Sequence, residues 1–271
     1  MPEPSTEVEH LSLTIEIGGV GVRVNTTDHH FLEMIQERYS GYVRSEGNSD
    51  LEFDMELVPP SHADPEAEVR VWQHGGRWSF TRGDFRAEWQ PAKHRGRIRQ
   101  TANPYSIDSV LRIVHTLVLA KQGGFLLHSA STIRNGKAFL FAGVSEAGKT
   151  TISRLAPPDV TLLTDEISYV RRRGDQYVAF GTPFTGELAK FGENVSAPIA
   201  ALYLLGKGPG NRIDPVPAGE AVRSLLSNLL FFAKDQELVQ ATFHAACEFV
   251  RRVPVSRLTF FPDSRAWELI R

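Results

Sequence analysis

The 271-residue chain has one cysteine, Cys247, so no internal disulfide can staple its fold. No apolar run approaches the about 20 residues of a membrane span, and the opening segment, MPEPSTEVEH, lacks the basic start and apolar centre of a secretory signal. Charge of one sign is missing too. Thirty Lys and Arg face 32 Asp and Glu, a net −2 that gives no electrostatic case for nucleic acid or an anionic membrane. The expectation is a soluble cytoplasmic protein with neither as partner; assembly into homo-oligomers is left open. What is present, 41% hydrophobic and 23% charged residues, is ordinary globular composition, and the length fits one or two domains.

The near-neutral total conceals two unlike halves. Residues 1–120 hold 12 basic and 18 acidic side chains, and residues 121–271 hold 18 and 14. The first half alternates apolar and polar residues in short runs, at 11–17 (LSLTIEI), 20–24, 51–57 (LEFDMEL), 69–72 and 78–80, separated by Gly, Pro and Asn turns. Only residues 31–39 read as a helix. This predicts a small β-rich (α+β) domain over residues 1–105, closing on a polar, basic connection at 90–106, read as a solvated loop.

The second half, residues 106–271, changes period. Residues 107–121 have helical spacing with Ser106 as N-cap, and His115 falls on the packed side. Strands are expected at 125–133, 138–142 (AFLFA), 160–164, 199–205 and 255–260, with an Asn135-Gly136 hairpin between the first two and helices at 218–232 and 237–251. Strands alternating with helices indicate an α/β mixed sheet.

The chemistry concentrates after the AFLFA strand. Gly143, Val144, Ser145, Glu146, Ala147, Gly148, Lys149 and Thr150 fit G-x-x-x-x-G-K-S/T, with Thr151 opening a helix-compatible segment. The two glycines let the chain curl so that backbone N–H groups face phosphate oxygens. Lys149 would reach the β- and γ-phosphates, and the Thr150 hydroxyl would meet Mg²⁺. Fifteen residues beyond Thr150 a second apolar strand ends in Asp165 and Glu166, where one carboxylate can hold the metal and the other accept a proton. His128 lies in the strand before the hairpin and points to the same sheet end if that strand neighbours the loop strand; a structural histidine is an equal reading. The turn-rich segment with Thr182, Thr185 and Glu187 either closes over a substrate or is a plain loop, and Arg171 to Arg173 either clamp a phosphate or edge a strand. Residues 143–147 also approach the G-x-S-x-G nucleophile elbow, but Ala147 stands where the last glycine belongs. His29, His30 and Cys247 lack zinc-site spacing.

Together, Leu127-His128-Ser129-Ala130, the loop Gly143 to Thr150 and Leu163-Thr164-Asp165-Glu166 resemble the C-terminal domain of HPr kinase/phosphorylase and its kinase-like relatives, over roughly residues 123–205. The resemblance implies the P-loop fold shared with ATP-dependent phosphoenolpyruvate carboxykinase, ATP and Mg²⁺ as cofactors, Asp165 as the base on the hydroxyl being phosphorylated, and His128 nearby. Three positions depart from that pattern: Thr150 replaces Ser, Glu166 replaces the second Asp, and Glu146 replaces a loop glycine. The family's phosphorylase signature is not recognisable at 180–191, so neither the reverse reaction nor HPr itself is expected. The resulting expectation is an ATP- and Mg²⁺-dependent kinase acting on a hydroxyl, a Ser or Thr of a peptide or protein, or a small-molecule acceptor. The alternative is a nucleotide-gated binding module that binds ATP without transferring phosphate.

Overall fold

The structure, a computed structural model, describes residues 11–44, 47–60 and 67–271; residues 1–10, on which the localisation reading partly rests, lie outside them. The chain divides into two compact units, Met1–Leu111 and Arg112–Arg271. The division falls inside a helix, six residues beyond the boundary expected at 105.

The first unit is one mixed eight-stranded sheet built from β1 (Leu11–Ile17), β2 (Val20–Thr26), β3 (Val43–Arg44), β4 (Leu51–Leu57), β5 (Arg70–His74), β6 (Arg77–Arg82), β7 (Phe85–Gln90) and β8 (Arg95–Gln100), in the order β3-β1-β2-β4-β8-β7-β6-β5. Helix α1 (His29–Arg38) starts at Asp28, whose carboxylate accepts from Phe31 N at 2.8 Å, and buries Phe31 and Ile35. Period-two alternation sends Ile15, Val22, Val24, Phe53, Phe80 and Ile98 inward. The basic stretch read as a loop is a correction: after a 3-10 turn at Pro91–Lys93 it becomes β8, paired with β4 and β7. Arg95, Arg97 and Arg99 take its exposed face, while Ile98 and Gln100 take its buried face. Gly96 is required there, because an added Cβ would lie 2.3 Å from the Phe53 ring.

Helix α2 (Pro104–Lys121) carries the chain from one unit into the other and begins on proline, suited to a first turn. The expected N-cap Ser106 instead donates to Asp84 at 2.6 Å. Asp108, also in the first unit, accepts from Tyr39 Oη and Arg38.

The second unit contains β9 (Phe125–Arg134), β10 (Lys137–Ala142), α3 (Lys149–Arg154), β11 (Thr161–Thr164), β12 (Ile167–Arg173), β13 (Gln176–Phe180), β14 (Ser196–Lys207), β15 (Arg212–Pro215), α4 (Ala218–Asn228), α5 (Gln236–Arg252) and β16 (Val255–Phe260). Its strands follow the order β10-β9-β12-β13-β14-β16-β15, β11 pairs β9, and a β10–β14 pairing closes a ring of five. The fold is mixed α/β, with two large mixed sheets and few helices. The regular alternation expected in this half is therefore corrected: β11 to β14 follow one another with no intervening helix. The missed strands β12 and β13 form a hairpin turned by Gly174 at φ 60, with Arg171 to Arg173 at its end. Helix α4 stops at Asn228 rather than 232. Strand β10 is buried on both sides, Ala138, Leu140 and Ala142 in one apolar cluster and Phe139 and Phe141 in another.

Candidate functional site

Register brings the predicted residues to one sheet edge. Antiparallel pairing aligns Ser129 with Ala142, the last residue of β10, so His128 lies beside the start of the loop. On the other side of β9, His128 aligns with Ile167, and Ser129 N donates to Glu166 O at 3.1 Å. Strands β10, β14 and β16 run parallel, so the loop after β10, Lys207 at the end of β14 and Phe260 at the end of β16 share the carboxyl edge where such sheets bind ligands.

The loop at 143–148 leads into α3, which starts at Lys149, two residues before the segment expected to open at Thr151, and is only six residues long. Gly148 has φ 109, and a Cβ there would lie 2.7 Å from the Phe260 ring; a Cβ on Gly143 would meet that of Ala147 at 2.6 Å. Both glycines thus have steric causes. Glu146, which stands where relatives are expected to have glycine, takes the left-handed conformation at φ 63, a strain of about 1 kcal/mol for a non-glycine residue. Lys149 is 9% exposed, and its Nζ donates to Gly143 O at 3.1 Å and Val144 O at 3.4 Å.

Opposite the loop stand the acids. Thr164 Oγ1 accepts from Glu166 N and Ile167 N at 3.1 and 3.2 Å and donates to Phe184 O at 3.2 Å, fixing the turn that presents Asp165 and Glu166. Asp165 is 2% exposed, and its two oxygens accept from Gly186 N and Leu188 N, both at 2.9 Å. The Glu166 side chain is more open and lies 3.7 Å from His128 Nε2. A cleft of about 480 Å³ is lined by His128, Ser145, Glu146, Gly148, Lys149, Thr150, Thr151, Asp165, Glu166, Glu187 and Lys207. Val144 is exposed on the loop, whereas Ala147 is buried and Gly143 half-buried.

Burial is the chief cause lowering the proton affinity of His128; the charges of Lys149 and Arg112 act the same way and Glu166 opposes them. His128 is therefore held toward its neutral form. Burial also lowers Lys149, with Glu166 and then Glu187 restoring part of its charge preference. Three contributors lay outside the predicted set. Lys207 ends an apolar strand run and was legible as the first charge after it. Glu187 was weighed only as part of a loop. Arg112, whose guanidinium lies 4.9 Å over the Phe184 ring, was hidden within the helical pattern of α2.

Oxygen donors suit Mg²⁺, and Thr150, Asp165 and Glu166 line this one cleft. Among the described residues no group of three or more His, Cys, Asp or Glu forms a metal cluster. A nucleotide-bound Mg²⁺ fits such a set, since it takes one or two carboxylates and completes its shell with phosphate and water. No described helix is long and apolar enough to cross a membrane.

This polar cleft at the carboxyl edge of a mixed sheet defines the second unit as an α/β domain with a candidate anion site. The chain belongs to the family described as SynChlorMet cassette protein ScmC, whose model matches residues 98–271. A solved structure, the Hpr(Ser) kinase/phosphatase from Coxiella burnetii, matches 44% of this chain and 93% of its own at 14% identity, with a TM-score of 0.24. No curated protein matches.

Proposed function

We propose that the chain is an ATP- and Mg²⁺-dependent phosphotransferase of the HPr-kinase kind with the corresponding P-loop fold, acting on a hydroxyl, a Ser or Thr of a peptide or protein. The observation that carries this reading is the convergence in one cleft of Ser145, Glu146 and Gly148 to Thr151, the pair Asp165 and Glu166, and His128. When bound, Mg²⁺ and ATP supply the transferable γ-phosphoryl group and a divalent charge that offsets it. The loop amides and Lys149 orient the phosphates, and Thr150 offers a hydroxyl to the metal. Lys149 would exchange its two carbonyl partners for phosphate oxygens. A carboxylate of the Asp165 and Glu166 pair takes the proton of the acceptor hydroxyl, and neutral His128 steadies Glu166 beside it.

Lys149→Ala is expected to weaken ATP binding by about 100-fold, the loss of a charge-assisted phosphate contact, measured by calorimetry; unchanged affinity removes the phosphate-loop assignment. Purified protein incubated with γ-labelled ATP and a cell extract is expected to label an acceptor. ATP binding without labelling would instead make the protein a nucleotide-gated module.

A further inference from the structure

The two carboxylates at the end of β11 do not stand in equivalent surroundings. Asp165 is buried, and each of its oxygens already accepts a backbone N–H, Gly186 N on Oδ1 and Leu188 N on Oδ2. These amides flank Glu187, which is exposed and lines the cleft. The segment they belong to is fastened elsewhere too: Thr182 N donates to Leu163 O at 3.0 Å, Glu193 N to Leu162 O at 3.0 Å, and Thr182 Oγ1 to Ile167 O at 2.9 Å. Gly186 approaches so closely that a Cβ would lie 2.8 Å from Glu166 Oε2 and 3.0 Å from Asp165 Oδ2. Glu166, by contrast, accepts no backbone N–H of the described residues with its side chain, stands 3.7 Å from His128 and bears on the charge of Lys149 more strongly than Glu187 does.

We infer that Asp165 is a positioning residue, clamping residues 186–188 so that Glu187 is held facing the cleft, and that Glu166 is the carboxylate that meets the acceptor. This assignment rests on the phosphotransferase reading and reverses the role that family resemblance alone gives to Asp165. In the transfer step the acceptor oxygen bonds to the γ-phosphorus as its proton passes to Glu166. The bond between that phosphorus and the β–γ bridging oxygen breaks, and its electron pair leaves with ADP.

Three variants test the assignment through amide hydrogen exchange, ATP calorimetry and label transfer from γ-labelled ATP into a cell extract. Asp165→Asn, which leaves one acceptor oxygen for two amides, is expected to speed exchange at Gly186 and Leu188 about tenfold or more. It should bind ATP within about threefold of wild type and transfer label more slowly, with the shape of the pH profile kept. Gly186→Ala, which keeps both acids but sets a methyl against their carboxylates, is expected to reproduce that exchange, read by exchange alone, and serves if Asp165→Asn fails to fold. Glu166→Gln is expected to leave the exchange unchanged, lower transfer about 100-fold or more, and alter the pH profile. Protected amides in both loop variants would overturn the clamp, and wild-type transfer by Glu166→Gln would overturn its role. A wild-type protein that binds no ATP defeats the phosphotransferase reading and the Glu166 role with it, while exchange still judges the clamp.

Discussion

In β8 of the first unit Arg95, Arg97 and Arg99 face water while Ile98 and Gln100 are buried; in β10 of the second, every residue after Lys137 is buried. The first unit buries one face of its sheet and covers the other with cross-strand ion pairs such as Arg95–Glu52 at 3.3 Å and Arg99–Glu56 at 3.0 Å. Exposed pairs of that kind contribute at most about 1 kcal/mol each. The second unit packs apolar clusters on both sides of β10 and β14, so its polar groups gather where strands end. A two-sided core fixes the strand ends firmly; Lys207 ends β14, Asp165 follows β11, Lys149 follows the loop after β10, and register sets His128 of β9 beside that loop.

The largest test of this contrast is Phe141→Ala. Phe141 is fully buried, with ring centroids 5.6 Å from Trp267 and 5.8 Å from Tyr203. Its truncation is expected to cost about 3–5 kcal/mol in denaturant unfolding. Arg97→Ala, at an exposed position of β8, should stay within about 0.5 kcal/mol. Equal losses would erase the distinction between the sheets. Next in size, Gly96→Ala should destabilise the first unit by about 1–3 kcal/mol, since the new methyl meets the Phe53 ring and Glu88 O; an unchanged midpoint would contradict that packing.

Polar groups inside the second unit give a pH signature. His115 is fully buried, its Nδ1 lies 3.1 Å from Tyr169 Oη, and burial, aided by Arg171, lowers its pKa from 6.5 to about 3. Between these values the unfolded chain binds the extra proton, so this contribution is intact above pH 6.5 and declines as pH falls toward 3. The slope is at most about 1.4 kcal/mol per pH unit. His115→Leu should flatten the acid limb of the stability curve; an unaltered slope would show that other groups set it. The smallest effect is expected at Glu146. Glu146→Gly relieves the left-handed strain against glycine's greater chain entropy, a net gain below about 1 kcal/mol, and should tighten ATP binding by removing a negative charge from the loop. Weaker binding would give Glu146 a positive role.

Legibility followed the same division. Strands β1, β4 and β16 coincide with their expected ranges because their period or apolar run was unbroken. Strand β8 was missed because arginine at every second position resembles a solvated loop, and its inward side contributes a glycine, an isoleucine and a glutamine. Strands β12 and β13 were missed because the arginines at the hairpin end masked an apolar start, Ile167 to Val170. At the site, the loop 143–150, the acidic pair and His128 were all visible as residues. Arg112 and the placement of Lys207 and Glu187 at the cleft were not, since each depends on a partner distant in sequence.

The sequence alone determined the local devices: glycines where the chain must curl, Lys149 and Thr150 behind them, and carboxylates at a strand end. Their spacing is short and their chemistry is local. Tertiary structure decided which groups face one another. The β9 register set His128 beside Glu166, and the return of residues 181–194 over β11 gave Asp165 two backbone amides, leaving Glu166 the freer acid. A carboxylate's role depends on which donors reach it, and those donors lie more than twenty residues away along the chain.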